Sequence, residues 1–190
     1  MEVNHRSIYA PPGGILIWIV IYLELFTFGM ALMAMAYYGS QQREMFHESS
    51  QLLNRGIATV NTVLLLTSGF FVARGVFYFK SRNWDKAGQF FNISMLFGVG
   101  FLVLKLVEYY QKLQAGLDMD YNSFFTFYWF LTAFHWLHVL TGLVILFFVR
   151  RSILKKKEAV LLEDVEAGAS FWHLCDIIWL LLFPIIYLIF

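Results

Sequence analysis

The sequence predicts an all-α membrane protein, a polytopic bundle of five transmembrane helices. Hydrophobic residues make up 59% of the 190-residue chain and charged residues only 14%, against about 25% charged in globular proteins. Five apolar stretches are as long as the roughly 17–25 residues of a helix that crosses a bilayer. Because backbone groups in lipid must pair within the chain, unbroken runs of this length indicate helices, whereas a barrel would show short alternating strands.

The composition also excludes several other classes of protein. A net charge of +1 provides no field to hold nucleic acid, so no nucleic-acid partner is expected. One cysteine excludes an internal disulfide framework and any cysteine-rich zinc or iron–sulfur site. Disorder requires low hydrophobicity and high net charge, and this chain has neither.

The chain divides into a head at 1–14 and a membrane domain at 15–190. The helices are predicted at 15–38, 56–79, 87–110, 124–149 and 171–190. The first begins after a Pro-Pro-Gly-Gly run, which cannot continue a helix upstream. Its Ala34-Met35-Ala36 resembles a signal-peptide cleavage site, but the preceding apolar run is too long, so we expect a retained helix. Ser94 and Gly98 in the third helix form a small-xxx-small pair, which predicts close helix packing.

Lysine and arginine in the loops predict the orientation. One side carries nine: Arg6, Lys80, Arg82, Lys86, Arg150, Arg151, Lys155, Lys156 and Lys157. The other side carries three: Arg43, Arg55 and Lys112. By the positive-inside rule, the N-terminus is cytoplasmic and the C-terminus lies outside.

Each ionisable group inside a membrane helix is costly and needs an account. Glu24 lies near the middle of the first helix, and its neighbours Tyr22, Thr27 and Gly29 predict a face packed on protein. Two roles stay open for Glu24: a neutral, hydrogen-bonded carboxyl that holds helices together, or a group with a proton- or lipid-related role.

Basic residues occur in two of the helices. Arg74 lies near the inner end of the second, where it can extend to the headgroups or pair with Asp176 at similar depth. Lys105 and Glu108 lie three apart near the outer end of the third, a spacing that permits a salt bridge within the helix. Asn61 adds a polar group to the second helix.

Histidines mark the last two helices. His135 and His138 share one face of the fourth, and His173 and Asp176 share one face of the fifth. Imidazole and carboxylate suit zinc, iron or copper, so an independent metal- or haem-binding membrane protein is one alternative. Counted from the predicted helix ends, His138 and His173 differ in depth by roughly 13 Å. This favours hydrogen bonding between helices over a bis-histidine haem.

Five blocks, in this order and spacing, resemble subunit III of the haem–copper oxidases. They are Leu23–Phe26, Asn61–Ser68, Lys105–Tyr110, Thr132–Gly142 and Phe171–Trp179. The resemblance covers almost the whole chain from Pro11. It matches the five-helix bacterial forms, which lack the first two helices of the mitochondrial subunit. The lipid cleft that those two helices form in the mitochondrial subunit is therefore not carried over.

The resemblance implies a subunit without cofactors of its own, with haem and copper in partner subunits. Such a subunit packs beside the catalytic haem–copper subunit I, other oxidase subunits and phospholipids, in the bacterial inner (cytoplasmic) membrane. It supports proton uptake and stability of the complex in aerobic electron transport. The residues implied in proton-uptake support are Glu24, Arg74, His138, His173 and Asp176, with His135, Lys105, Glu108 and Asn61 as interhelical polar contacts.

The head and the Pro-Gly approach to the first helix look more like the NorE branch, which is often encoded with nitric-oxide reductase. An accessory subunit of nitric-oxide reductase is therefore an alternative to an oxygen-reducing oxidase. Trp136 stands where the family's histidine block has a glycine, so we expect different packing there.

Overall fold

A computed structural model describes residues 11–156 and 159–190, so most of the predicted head lies outside the described residues, as do Lys157 and Glu158. The described part is helical. Its helices are α1 Gly14–Gln41, α2 Arg43–Gln51, α3 Arg55–Lys80, α4 Trp84–Gln114, α5 Ser123–Lys156 and α6 Leu162–Tyr187. All but α2 are long and apolar enough to span a membrane. The predicted bundle of five transmembrane helices is confirmed.

Asparagine side chains start three of the long helices. Asn54, Asn83 and Asn122 each accept a hydrogen bond of 3.0–3.2 Å from the backbone N–H three residues on, which satisfies a donor that the helix leaves free. The start of α1 depends on Gly13, whose φ of 79° is left-handed. A Cβ at Gly13 would also lie 2.8 Å from the backbone of Ala167. Glycine therefore lets the chain turn into α1 directly against α6.

Two helices extend well beyond their predicted bounds. α6 begins at Leu162, nine residues before the predicted start at Phe171. Its first turn carries Glu163 and Asp164, which favour a helix N-terminus through the helix dipole but interrupt the apolar run. α5 likewise continues past the predicted end at Val149 to Lys156. Apolar runs mark the bilayer thickness, whereas the helices continue into the polar zone.

The short helix α2 falls in a segment predicted to be a loop. It buries Phe46, Ser49 and Ser50, and the Phe46 ring meets Phe124 and Phe190 with centroids 5.4 and 5.1 Å apart. A search for long apolar runs misses a helix this short and polar. The i, i+3, i+4 spacing of its buried residues was the available signal.

The helices α3, α4, α5 and α6 pack in a ring, with α1 on its outside against α5 and α6. Small residues let the ring close. The Ser68 hydroxyl on α3 donates to the Ser94 carbonyl on α4 at 2.8 Å, and a Cβ at Gly98 would lie 2.7 Å from the Trp172 ring. This confirms the close packing predicted at Ser94 and Gly98. The end of the bundle that carries α2 is called the α2 end, and the end with the α3–α4 turn is called the turn end.

Candidate functional site: ion pairs between the helices

Glu24 of the peripheral helix α1 reaches His138 of α5. Glu24 Oε2 lies 3.1 Å from His138 Nε2, and the two side chains are 21% and 12% exposed. The other ring nitrogen, Nδ1, lies 2.8 Å from the Phe134 carbonyl oxygen. The structure thus brings together two predicted site residues that are 114 positions apart in sequence.

The Phe134 carbonyl determines where the protons of His138 lie. A carbonyl oxygen only accepts, so Nδ1 carries a hydrogen and donates it. Nε2 is then either a free acceptor facing a protonated Glu24, or a proton carrier facing a carboxylate. The contact with Glu24 Oε2 has an ion-pair distance but not hydrogen-bond geometry.

The surroundings of Glu24 differ from the prediction. Tyr22 is 65% exposed, and the exposed Thr27 hydroxyl donates to the Leu23 carbonyl of its own helix. A Cβ at Gly29 would meet nothing within 4 Å. The packed face of α1 instead runs through Phe28, whose ring stacks on Phe134 at 5.3 Å. The face of α1 at Glu24 does pack on protein, but through Phe28 and not through Tyr22, Thr27 or Gly29.

His173 and Asp176 form a second pair, within α6. His173 Nδ1 lies 3.1 Å from Asp176 Oδ2, and the side chains are 42% and 9% exposed. The carboxyl lies directly on α3 at Gly69, where an added Cβ would overlap Asp176 Oδ2. Gly69 is therefore a residue of this site that the sequence did not single out. The available indication was a glycine within a membrane helix, which leaves space for a side chain from a neighbouring helix.

Arg74 does not join that pair. Its guanidinium lies 5.3–5.9 Å from the ring centroids of Phe77, Tyr78 and Phe90, and Nη2 donates to the Tyr78 hydroxyl at 3.3 Å. Asp176 is held by His173 instead. The suggested Arg74–Asp176 pair is replaced by aromatic contacts towards the turn end, in keeping with the alternative of an arginine that extends to the headgroups.

A closed cluster, the lysine cage, surrounds Lys105 in the half of the bundle nearer α2. Lys105 Nζ donates to Glu108 Oε2 at 3.0 Å and to the Tyr187 hydroxyl at 2.6 Å. The Tyr128 and Tyr187 hydroxyls donate to Glu108 Oε1 at 2.9 and 2.8 Å. The Trp179 ring centroid lies 5.4 Å from Nζ. The cage joins α4, α5 and α6 around an ion pair that is wholly buried.

Sequence reasoning found the Lys105–Glu108 pair but missed Tyr128 and Tyr187. The sequence did indicate them indirectly, because a tyrosine hydroxyl buried in a membrane helix needs a hydrogen-bond partner. The helix spacing could not show which partner it was, since Tyr187 is 82 residues from Lys105.

His135 and Asn61, predicted as interhelical polar contacts, are both fully buried. The His135 ring stacks on Trp179 with centroids 5.4 Å apart, and neither of its nitrogens has a hydrogen-bond partner among the described residues. The same holds for both side-chain polar atoms of Asn61. The adjacent Thr62 instead receives the hydrogen bond from Trp179 Nε1 at 2.9 Å. Trp136 donates to the Leu102 carbonyl at 3.2 Å, which joins α5 to α4.

The predicted difference in depth between His138 and His173 is wrong, because the Phe171 ring, two residues before His173, lies 6.5 Å from the His138 ring. What argues against ligation is that both His138 nitrogens face protein atoms. Within residues 11–156 and 159–190, no group of three or more His, Cys, Asp or Glu residues could hold a metal ion.

The sequence model of the family described as cytochrome c oxidase subunit III matches residues 14–189. The chain belongs to this family. Subunit 3 of the cytochrome bo(3) ubiquinol oxidase of Buchnera aphidicola is 27% identical over 144 residues, which cover 74% of this chain and 69% of the relative. Cytochrome c oxidase subunit 3 of Synechocystis is 34% identical over 134 residues, or 68% of this chain and 55% of the relative. The Bacillus PS3 subunit 3 is 25% identical over 170 residues, or 89% and 79%.

Membership in the subunit III family confirms the resemblance and makes this chain part of a multi-subunit oxidase family. The structure also brings blocks of this sequence resemblance into contact with one another. The block around Glu24 meets the block around His138. The Lys105 block meets Trp179 of the terminal block, and Trp179 in turn bonds to Thr62 of the second block. The short motifs are thus the contact points of the bundle.

Proposed function

We propose that this chain is a non-redox accessory subunit of a respiratory haem–copper terminal oxidase. The observation that carries the proposal is the family match over residues 14–189, with relatives named as subunits of cytochrome c and ubiquinol oxidases. In this proposal haem and copper lie in partner subunits. The catalytic subunit I packs against one membrane-facing side, and phospholipids cover the rest.

The turn end faces the cytoplasm in this proposal, and the membrane is the bacterial inner membrane. The nine basic loop residues assigned to that side, against three on the α2 side, support the orientation. Arg74 and the ion pair between Lys80 and Glu166, 2.8 Å apart, lie towards the turn end and are suited to the headgroup zone.

The Glu24–His138 pair supports a role in proton uptake. In this proposal the pair shares a proton that either partner can carry; its side chains are partly exposed in the isolated chain. It lies on the peripheral helix α1 rather than inside the ring. In this proposal such a site exchanges a proton at the membrane-facing side of the bundle without opening the ring. His173 and Asp176, also partly open, provide a second polar pair on the next helix.

Copurification tests the partner. The tagged chain is expressed in its native host, extracted in mild detergent, and the bound subunits are identified together with their optical spectrum. A haem–copper subunit that reduces oxygen is expected. One that reduces nitric oxide would favour the NorE-like alternative, which stays a prediction. Recovery of the chain in the membrane fraction with no haem–copper partner would sink the proposal.

Substitution of Glu24 tests the role in proton uptake. In the intact complex Glu24→Gln keeps the size of the side chain but removes the exchangeable proton. We expect slower turnover at alkaline pH, where protons are scarce, and earlier inactivation during turnover. Glu44→Gln, the same change on the exposed polar face of α2, is the matched control. If Glu24→Gln and Glu44→Gln behave alike, Glu24 only packs helices.

A further inference from the structure

At the α2 end, a pocket opens between the end of α2, the start of α3 and the end of α4. Its polar lining consists of His47, Gln51, Asn54, Arg55, Gln111 and Lys112. Two of these residues are cationic, and none of the described residues that line the pocket is acidic. It is thus a concave surface with uncompensated positive charge.

Lys112 supplies the deeper charge. The residue is only 8% exposed, and its ammonium donates to the Leu52 carbonyl. One turn away on α4, Glu108 is already paired with Lys105 at 3.0 Å. Two ammonium groups therefore share one carboxylate, and the nearly buried Lys112 has no counter-ion of its own in the described part of the chain. Because an unpaired buried charge is costly, an anion in the pocket would stabilise this end of the bundle.

Arg55 supplies the outer charge at the first residue of α3. The side-chain oxygen of Asn54 accepts a hydrogen bond from the N–H of Ile57, and its backbone carbonyl accepts one from the N–H of Ala58. Within the described residues, the N–H groups of Arg55 and Gly56 have no such acceptor. They lie at the positive end of the helix dipole, where an anion can bind. The guanidinium fork is exposed and suits two oxygens of one anion.

His47 lines one wall of the pocket, and both of its ring nitrogens are held within the protein. One ring nitrogen, Nδ1, contacts the Phe190 oxygen, and the other lies 2.8 Å from Gln51 Nε2. The cationic side chains that remain to face a ligand are those of Arg55 and Lys112.

We propose that this pocket binds a phosphate group. A fork from Arg55, an ammonium from Lys112 and the free N–H groups of a helix start are the donors that phosphate oxygens accept in proteins. The pocket lies where two membrane-spanning helices end, at the level of lipid headgroups. The phosphate is supplied either by a phospholipid headgroup or as free phosphate.

Binding to the purified, delipidated full-length chain tests the site. Native mass spectrometry titrates phosphatidylglycerol and the diacylglycerol with the same acyl chains, which lacks the phosphate. We expect phosphatidylglycerol to bind more tightly, and Arg55→Gln to weaken its binding about tenfold, the loss of roughly one charge-assisted contact. Arg43→Gln removes the same charge at the start of α2, outside the pocket, and should bind like the unchanged chain. Lys112→Gln, which removes the deeper charge of the pocket, is the second variant and should also weaken the binding of phosphatidylglycerol.

Inorganic phosphate, added alone, distinguishes the two sources. A rise in thermal stability that Arg55→Gln abolishes assigns the pocket to free phosphate. No rise, together with Arg55-dependent lipid binding, assigns it to the headgroup. The proposal is overturned if diacylglycerol and phosphatidylglycerol bind equally, if Arg55→Gln and Arg43→Gln weaken binding equally, or if neither probe binds.

Discussion

The lysine cage and the Glu24–His138 pair each place an acidic side chain beside a basic one within the membrane span, but they differ in burial and in the number of hydrogen-bond partners. In the cage, Glu108 accepts from Lys105 and two tyrosines, and its side chain is 1% exposed. Glu24 faces one histidine and is 21% exposed. The cage lies inside the ring, whereas the pair joins the peripheral helix α1 to it.

In our proposal this difference distinguishes a cluster that stabilises the bundle, the cage, from a pair that exchanges a proton, Glu24–His138. Every oxygen of Glu108 has a donor, so proton transfer there would break hydrogen bonds across three helices. The Glu24–His138 pair is a single contact between α1 and α5, so we expect a change there to cost the bundle little. A buried, fully partnered pair is strongly destabilising to break, whereas the Glu24–His138 pair has a single contact and should be easier to change. Stability measurements can therefore test which kind each cluster is.

Lys105→Met should have the largest effect. It leaves Glu108 as a buried carboxylate without its cation, and removal of one partner of a buried pair costs about 3–5 kcal/mol. The free energy of unfolding in detergent, measured by denaturant titration followed by circular dichroism, should fall by that order.

The double variant Lys105→Met with Glu108→Gln separates charge from packing. It removes both charges and keeps a hydrogen-bonding side chain for Tyr128 and Tyr187, so it should recover part of the lost stability. A single variant as stable as the unchanged chain would show that the cage is not a structural lock.

Gly69→Ala should have an intermediate effect. Its Cβ would overlap Asp176 Oδ2, so the carboxyl must move away from α3 and from His173. Forced overpacking costs about 1–3 kcal/mol, and the same titration would measure the loss. Gly29→Ala is the matched control, because a Cβ there meets nothing within 4 Å and alanine favours helix.

Adding Asp176→Ala to Gly69→Ala should restore much of the stability by removing the clashing carboxyl. If Gly69→Ala is harmless by itself, the close approach of Asp176 to α3 does not hold the two helices together.

Contacts within one helix were predictable from the sequence, and most contacts between helices were not. Spacing by three placed Lys105 beside Glu108 and His173 beside Asp176, because i and i+3 share a face. The partners on other helices depend on relative depth. Counted from the predicted helix ends, His138 and His173 differ in depth by roughly 13 Å, whereas the Phe171 ring, two residues before His173, lies 6.5 Å from the His138 ring.

The fold itself was predictable because the bilayer imposes a length on each apolar run. That rule says nothing about α2, which lies at the end of the bundle, or about helix turns beyond the bilayer. Gly69 and Tyr187 acquire their roles only through packing: one by leaving space for Asp176, the other by bonding to Lys105 from the far end of α6.

Glu24→Gln should have the smallest effect on stability. The glutamine keeps the size of the side chain and can still contact His138, so the free energy of unfolding should hardly change. The same variant is expected to alter turnover in the intact complex, and a functional effect without a loss of stability is what an exchangeable proton site requires. A loss as large as that of Lys105→Met would make the Glu24–His138 pair a structural contact like the cage, and its position on the peripheral helix would then serve to fasten α1 to the ring.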